Sequence, residues 1–345
     1  MKRFLIKITY TVLPIWLIIV GCVLYISLYI SPRMSGDIGR LAGIPFGHEY
    51  DDNLNKYLIK DTLFHTVVNI DELKQLNVQV LTIGDSFSQQ GNSGYQNYLC
   101  SKGLTVANVS RELFSSPIQY TYNLMNETYI DSTTAKIIIV ECVGRTLEGI
   151  IAKFDVEKQD VPQQTPKVPN KWSVSRARDY ILFRTHLNSP ILIAELNNDY
   201  FSSEEPRKLY FFKDDIQFLG INKNMEEKTK HVFNVLSSKA EERGIKILWL
   251  IAVDKYDLYQ DYIIDNTFPR MTVSEDINRI IGISPDLVIS KQYLKPLVDQ
   301  GIKDVFLFND THWSYKASEA IADELISRIA KNNNVFPSHE REDLP

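Results

Sequence analysis

The chain has 345 residues, of which 44% are hydrophobic and 11% aromatic, enough to bury one full core. Its 38 basic and 43 acidic side chains give a net charge of −5, and residues 33–345 alone carry a formal −8, a balance that argues against a nucleic-acid surface. Three cysteines provide no disulfide framework: Cys100 and Cys142 can pair only if the fold brings them together, and free buried thiols are expected.

Residues 8–32 contain no charged side chain, and 13–30 are almost wholly apolar. At 1.5 Å per residue this stretch is long enough to cross a hydrocarbon layer of about 30 Å. Lys2, Arg3 and Lys7 favour keeping residues 1–7 in the cytoplasm. Trp16, Tyr25 and Tyr29 suit a span with interfacial ends, and no A-x-A-like cleavage site follows. A single-pass signal anchor with the rest of the chain outside is the expectation. Residues 33–77 carry Gly36, Gly39, Gly43, Pro45 and Gly47 and then polar sequence, which predicts a membrane-proximal linker.

From residue 78 the pattern alternates strand and helix. Strands are predicted at 78–83, 104–109, 136–140, 245–251 and 305–308, with helices around 95–100, 117–127, 225–243 and 314–330. Such alternation argues for an α/β domain over 78–331, three-layered, with a mainly parallel sheet covered on both faces. An insertion at about 154–222 interrupts the rhythm. It starts with an extended connector holding Pro162, Pro166 and Pro169, continues as a helix over 172–197 and a strand at Lys208–Phe212, and is expected to form a wall or lid. Residues 332–345 are a polar tail.

Two short segments carry reactive side chains in a suggestive setting. Gly84 breaks the first strand, and Asp85-Ser86-Phe87-Ser88 begins a turn towards a helix. A hydroxyl at a strand's carboxyl end sits where open α/β sheets bind ligands, beside outward-pointing N–H groups able to hold an oxyanion. Alternatively Asp85 or Ser86 only caps the following helix. Far along the chain, Asp310-Thr311-His312-Trp313 follows the 305–308 run. An acyl-transfer serine needs an imidazole, and the imidazole needs a carboxylate to fix its tautomer. Asp310 is spaced to orient His312, so the two segments together predict a Ser86–His312–Asp310 triad, with Ser86 Oγ and His312 in or near hydrogen-bond reach. The other histidines, 48, 65, 186, 231 and 339, have no ligand spacing with another His or Cys, so no metal site is expected.

GDSFS at 84–88 and DTHWS at 310–314 resemble the first and last sequence blocks of the SGNH/GDSL hydrolases. The Trp after His312, the segment Glu141-Cys-Val-Gly-Arg145-Thr-Leu147 and the segment Asp254-Lys255 with Tyr259 resemble one branch more closely, the AlgJ/AlgX-like and "DHHW" group of bacterial polysaccharide O-acetyltransferase proteins. The resemblance covers about 78–330. Three departures stand out. Gly144 replaces the second acid of an E-x-x-E-R-x-L element, ECVGR stands where most SGNH hydrolases have G-x-N-D, and Ser86 precedes the Asp-His pair, whereas AlgX-like members place that pair first.

The resemblance implies an SGNH-like fold behind one transmembrane helix in a bacterial cytoplasmic membrane. It implies a serine acyltransferase that O-acetylates a cell-surface or secreted glycan, with an integral-membrane O-acyltransferase supplying acyl groups and no cofactor. A glycan O-acetylesterase and a catalytically inactive glycan-binding or assembly subunit are the alternatives. Oxyanion donors are expected from the Ser86 N–H and from Asn108 or Ser110. Asp85, Arg145, Lys255, Tyr259 and Trp313 complete the candidate substrate-binding set. Arg145 would hold an acyl oxygen or a carboxylate, or else pair structurally with Glu141. Lys255 would contact substrate or neutralise Asp310 or Asp85. Tyr259 would line the pocket or pack, and Trp313 would stack on a sugar or wall the pocket.

Overall fold

The computed structural model describes residues 2–26, 36–44, 48–126, 130–158 and 174–331. The first elements in chain order are α1 (Lys2–Tyr25), α2 (Asp37–Ala42), α3 (His48–Tyr57), β1 (His65–Val67), β2 (Val80–Gly84), α4 (Tyr95–Ser101), β3 (Val106–Val109), α5 (Pro117–Asn126), β4 (Ile137–Val143) and α6 (Gly144–Lys153). They are followed by α7 (Val174–Thr185), β5 (Ile191–Glu195), β6 (Lys208–Phe212), α8 (Glu226–Glu242), β7 (Lys246–Ala252), α9 (Lys255–Tyr259), α10 (Val273–Ile281), β8 (Leu287–Ile289), α11 (Lys291–Asp299) and α12 (Tyr315–Ala330). Helix α1 is long and apolar enough to cross a membrane.

Six strands form one parallel sheet in the order β1-β3-β2-β4-β7-β8. Every residue of β2, β3 and β4 is buried, as their largely apolar and β-branched sequences require for strands covered on both faces; Asn108 in β3 and Glu141 in β4 are the buried polar exceptions. Helices α4 and α12 pack together on one face, and α5, α6, α8 and α10 pack together on the other. Ala317, Ile321, Leu325 and Ile329 form a buried apolar stripe along α12. From β2 the chain turns to β3 on one side and then crosses to β4 on the other, so the strand order reverses at β2. The carboxyl end of β2 is therefore the crevice where such sheets bind ligands. Register brings Gly84 beside Glu141, and Glu141 beside Leu250, so the loops after β2, β4 and β7 emerge along one edge.

Three expectations need correction. Residues 33–77 are more than a linker: β1 completes the sheet edge, and α2 packs against the loop that carries His312. The 172–197 region is helical only as α7; its last part is β5, which pairs antiparallel with β6 in a separate hairpin. Residues 305–308 are no strand of the sheet. Only Phe306 makes a bridge, to Trp313, and β8 takes the place beside β7. Finally, the proline-bearing part of 154–170 and the 332–345 tail lie outside the described residues. Cys22, Cys100 and Cys142 are free thiols.

Gly84 fits because it has no side chain. A Cβ there would lie 2.5 Å from Glu141 Oε2 and 2.7 Å from Glu141 Cβ. Gly84→Ala should cost about 1–3 kcal/mol in urea unfolding, the usual range for overpacking, and an unchanged midpoint would show that the strand end has room.

Candidate active site

Asp85 and Ser86 follow β2 directly, and Ser86–Gln89 forms a single turn of 3-10 helix. Asp85 caps it: its Oδ1 accepts the Ser86 N–H at 2.9 Å and also faces Arg111 Nε at 3.2 Å. Beneath the turn, the Ser88 hydroxyl lies 3.0 Å from Glu141 Oε2 and 3.0 Å from the Tyr95 hydroxyl. Gln96 Nε2 donates to the Ser88 carbonyl at 3.0 Å. Glu141 is fully buried. Burial first, and the nearby Asp85 charge second, push its carboxyl up to about 8, so it is protonated at neutral pH.

The second half of the site is the loop of residues 305–313. His312 Nδ1 donates to Asp310 Oδ1 at 2.7 Å, and the same oxygen accepts the backbone N–H groups of Thr311 at 2.7 Å and His312 at 3.3 Å. Burial favours the neutral acid at Asp310, but the bond to His312, the imidazolium charge and the backbone donors outweigh it and hold the carboxyl below its usual range. Burial likewise opposes charge on His312, yet the Asp310 bond and charge and the Asp37 charge raise its basicity overall, with Arg145 acting against them. Asp37 of α2 reaches this ring too, its Oδ2 lying 3.7 Å from Nδ1. Asp37, Asp310 and His312 are the grouping with metal-ligand spacing among the described residues. Both carboxylates crowd the one ring nitrogen that must keep its proton, an arrangement suited to orienting a base.

Phe87 joins the two halves. Its buried ring lies 5.0 Å from the His312 ring and 4.4 Å from the Trp313 ring, centroid to centroid, and Gln90 Nε2 donates to the Trp313 carbonyl at 2.8 Å. The structure thus brings the Ser86 turn against the His312 loop. No hydrogen bond runs from Ser86 Oγ to His312 among the described residues; such contacts commonly tighten only when substrate is bound.

The loop is held from below by Lys255. Its Nζ donates to the carbonyls of Leu307 and Phe308, both at 2.8 Å, and of Asp310 at 3.1 Å. This explains the missing strand, because these carbonyls bond an ammonium where a strand would bond neighbouring N–H groups. Of the two roles expected for Lys255, contact with substrate does not fit a side chain that is wholly buried, while the charge interaction with Asp310 is present. Burial pushes its pKa down to about 7 against the pull of Asp310, Asp215 and Asp304.

Other candidates move as well. Tyr259 and Trp313 are fully buried and pack, against Phe201 and Phe306 and against Phe87 respectively, so neither can meet a sugar. Asn108 is enclosed, its Oδ1 taken by Thr82 at 2.7 Å and Gln96 at 3.2 Å. The Ser110 N–H is spent on the Val67 carbonyl at 2.8 Å, and its hydroxyl caps the next turn. The Ser86 N–H is taken by Asp85. The Ser86 and Ser110 N–H groups foreseen for the oxyanion are therefore engaged elsewhere, because a sequence does not show which N–H groups a cap or a strand edge will consume. Arg145 pairs with Asp254 and lies 3.5 Å from Asp215, and not with Glu141. Its charge acts on both Asp85 and His312, and its side chain keeps 17% exposure. Asp215, from the insertion, and Asp37 were missed; both act from segments whose sequence has no regular pattern. Near the same loop, a cavity of about 320 Å³ is lined by Ile44, Phe183, Arg184, His186, Glu205 and Tyr210. Ile44 accepts from Asn309, and the Tyr210 ring meets Phe308 edge-on.

Residues 206–343 match the family described as the SGNH hydrolase-like domain of acetyltransferase AlgX. That stretch is AlgX-like. The match bears out the resemblance drawn from the sequence segments and points to a function related to polysaccharide acetylation. It includes Asp254, Lys255, Asp310 and His312, and it begins beyond Ser86 and Arg145. No curated protein matches the chain.

Two substitutions test this packing. Lys255→Met orphans three carbonyls and should cost at least about 3 kcal/mol in urea unfolding; a loss under about 1 kcal/mol would mean that the loop holds itself. For Glu141, whose folded pKa is raised, the stability it contributes is present below the ordinary carboxylate range and is lost as pH rises through about 8. Glu141→Gln mimics the protonated acid, so its Tm should gain on that of the native chain as pH rises from the ordinary carboxylate range to about 8, and level off above it.

Proposed function

We propose that the protein is an extracytoplasmic, serine-dependent O-acetyltransferase acting on a cell-surface or secreted polysaccharide, held at a bacterial cytoplasmic membrane by α1. The observation that supports the reading is the contact of Phe87, the neighbour of Ser86, with His312, an imidazole already oriented by a carboxylate.

In this reading Ser86 Oγ attacks the acyl carbonyl while His312 Nε2 takes its proton. The tetrahedral intermediate collapses, the donor's C–O bond breaks, and the proton passes from His312 to the leaving oxygen. The acyl-enzyme is then attacked by a glycan hydroxyl, with His312 again accepting and returning one proton. Asp310 keeps Nδ1 protonated, so that Nε2 is the basic edge. With the backbone donors engaged, the Arg145 guanidinium is the group we assign to the oxyanion; it pairs with two carboxylates through one nitrogen and has N–H groups to spare. The cavity bordered by Arg184, His186 and Glu205 suits a hydroxyl-rich acceptor. The acyl donor is expected to be an integral-membrane O-acyltransferase, since α1 would keep the domain at the membrane surface.

Incubating the full-length chain with an acetyl-ester chromogen, with and without glycan oligomers, tests the reading. Acetylated glycan with faster donor loss is the expected outcome, while acetate alone makes the protein an esterase. Ser86→Ala should abolish turnover, a fall of at least about 1,000-fold, with an unchanged Tm. Retained turnover would remove Ser86 as the nucleophile, and an inactive chain whose Ser86 is not labelled by a serine-directed phosphonate would be a non-catalytic glycan-binding subunit.

A further inference from the structure

Helix α2 has no place in the triad, yet it is fitted to the loop that bears it. The Gly39 N–H donates to the Asn309 carbonyl at 2.7 Å, and Asn309 Nδ2 donates to the Ile44 carbonyl at 3.0 Å, so both ends of the helix grip the residue before Asp310. The fit leaves no space for side chains. A Cβ on Gly36, whose φ is +76°, would lie 2.4 Å from the Asn309 carbonyl oxygen, and one on Gly39 would lie 2.8 Å from Asn309 Nδ2. The result of this docking is the position of Asp37. Its Oδ2 accepts the Thr311 hydroxyl at 3.3 Å and stands 3.7 Å from His312 Nδ1, on the ring edge that Asp310 already holds.

We propose that Asp37 is a second positioning carboxylate for His312, so that the helix following the apolar span completes the active site. The proposal rests on His312 being the base of the reaction above. At 3.7 Å Asp37 makes no hydrogen bond to the ring. It acts through charge, stabilising the imidazolium formed when Ser86 is deprotonated, and through Thr311, which limits how the loop can rotate. The charged groups around the ring are Asp310 on its own loop, Asp37 from α2 and Arg145 from the start of α6; the Ser86 turn presents the apolar Phe87. Arg40 pairs with Asp37 at 2.6 Å and tempers its charge.

A merely structural Asp37, stabilising the first turn of α2, would change stability and leave the pH profile alone. The test is therefore kcat/KM for p-nitrophenyl acetate from pH 5 to 9, with the full chain in detergent. Turnover needs neutral His312, so activity falls as pH drops through its raised pKa. Asp37→Asn should move that acidic limb down by about half to one unit and lower kcat several-fold with little change in KM, and Asp37→Glu should restore most of both. Arg40→Gln, at an exposed site, should move the limb in the opposite direction, which keeps the proposal testable even if Asp37→Asn folds poorly. A limb unmoved in both variants, while Ser86→Ala is inactive, overturns the proposal and leaves the catalytic reading standing. Turnover retained in Ser86→Ala overturns both. Loss of turnover in EDTA with recovery on adding zinc would make Asp37, Asp310 and His312 ligands and overturn the positioning role.

Discussion

The placement of the base depends on one buried ammonium. Residues 305–313 have no strand ladder to hold them, and an irregular loop in a core must satisfy its carbonyls by other means. Lys255 does so for three of them at once. Burying the cation is costly, which is why its pKa falls towards 7. The three carbonyls, the Phe201 ring 5.0 Å away and the field of Asp310 offset that cost. Because Lys255 begins α9 three residues after β7 ends, the position of the sheet is passed through one side chain to Asp310 and from there to His312. A loop held in this way is irregular in backbone yet fixed in place.

The carboxyl edge of the sheet poses an electrostatic problem of its own, since Asp85, Glu141, Asp254 and Asp215 all gather there. They cannot all ionise without cations between them. Arg145 joins Asp254 and Asp215, and Arg111 meets Asp85. Glu141, with no cation in contact, stays protonated and serves as a hydrogen-bond partner for Ser88. The register places Glu141 level with Gly84, so the neutral acid lies directly beneath the nucleophile turn. An ionised carboxylate there would oppose the developing oxyanion above it; a protonated one does not.

What the sequence showed and what it hid follow the same logic. Strands β2, β3, β4 and β7 announce themselves because they are buried and mostly apolar or β-branched, with Asn108 and Glu141 the buried polar exceptions in β3 and β4. Short edge strands such as His65–Val67 and Leu287–Ile289 carry three residues each, too few for a pattern. The 305–308 run has the composition of a strand, and what decides against it is a lysine fifty residues away. Tyr259 was open between lining the pocket and packing, and Trp313 between stacking on a sugar and walling the pocket, because composition does not show which way a ring points. The pairing of Asp310 with His312 was legible because it is local. The contribution of Asp37 was not, because it arises from a helix docking across more than 270 positions of sequence.

That docking changes where the functional unit begins. Ile26, at the end of the apolar helix, and Gly36, at the start of the docked segment, are ten residues apart, and a fully extended chain of that length spans at most about 35 Å. If α1 crosses the bilayer, the loop bearing His312 is confined to that distance from its outer end, whatever path the intervening residues take. In the proposed acyl transfer from a membrane-bound donor, a tether this short would keep the acceptor of the acyl group close to its source. The glycines that make α2 fit the loop, Gly36 and Gly39, stand where a flexible linker would also use glycine. What separates the two cases is the Asn309 backbone pressed against them, which leaves the chain free to bend only at places where bending does not move the base.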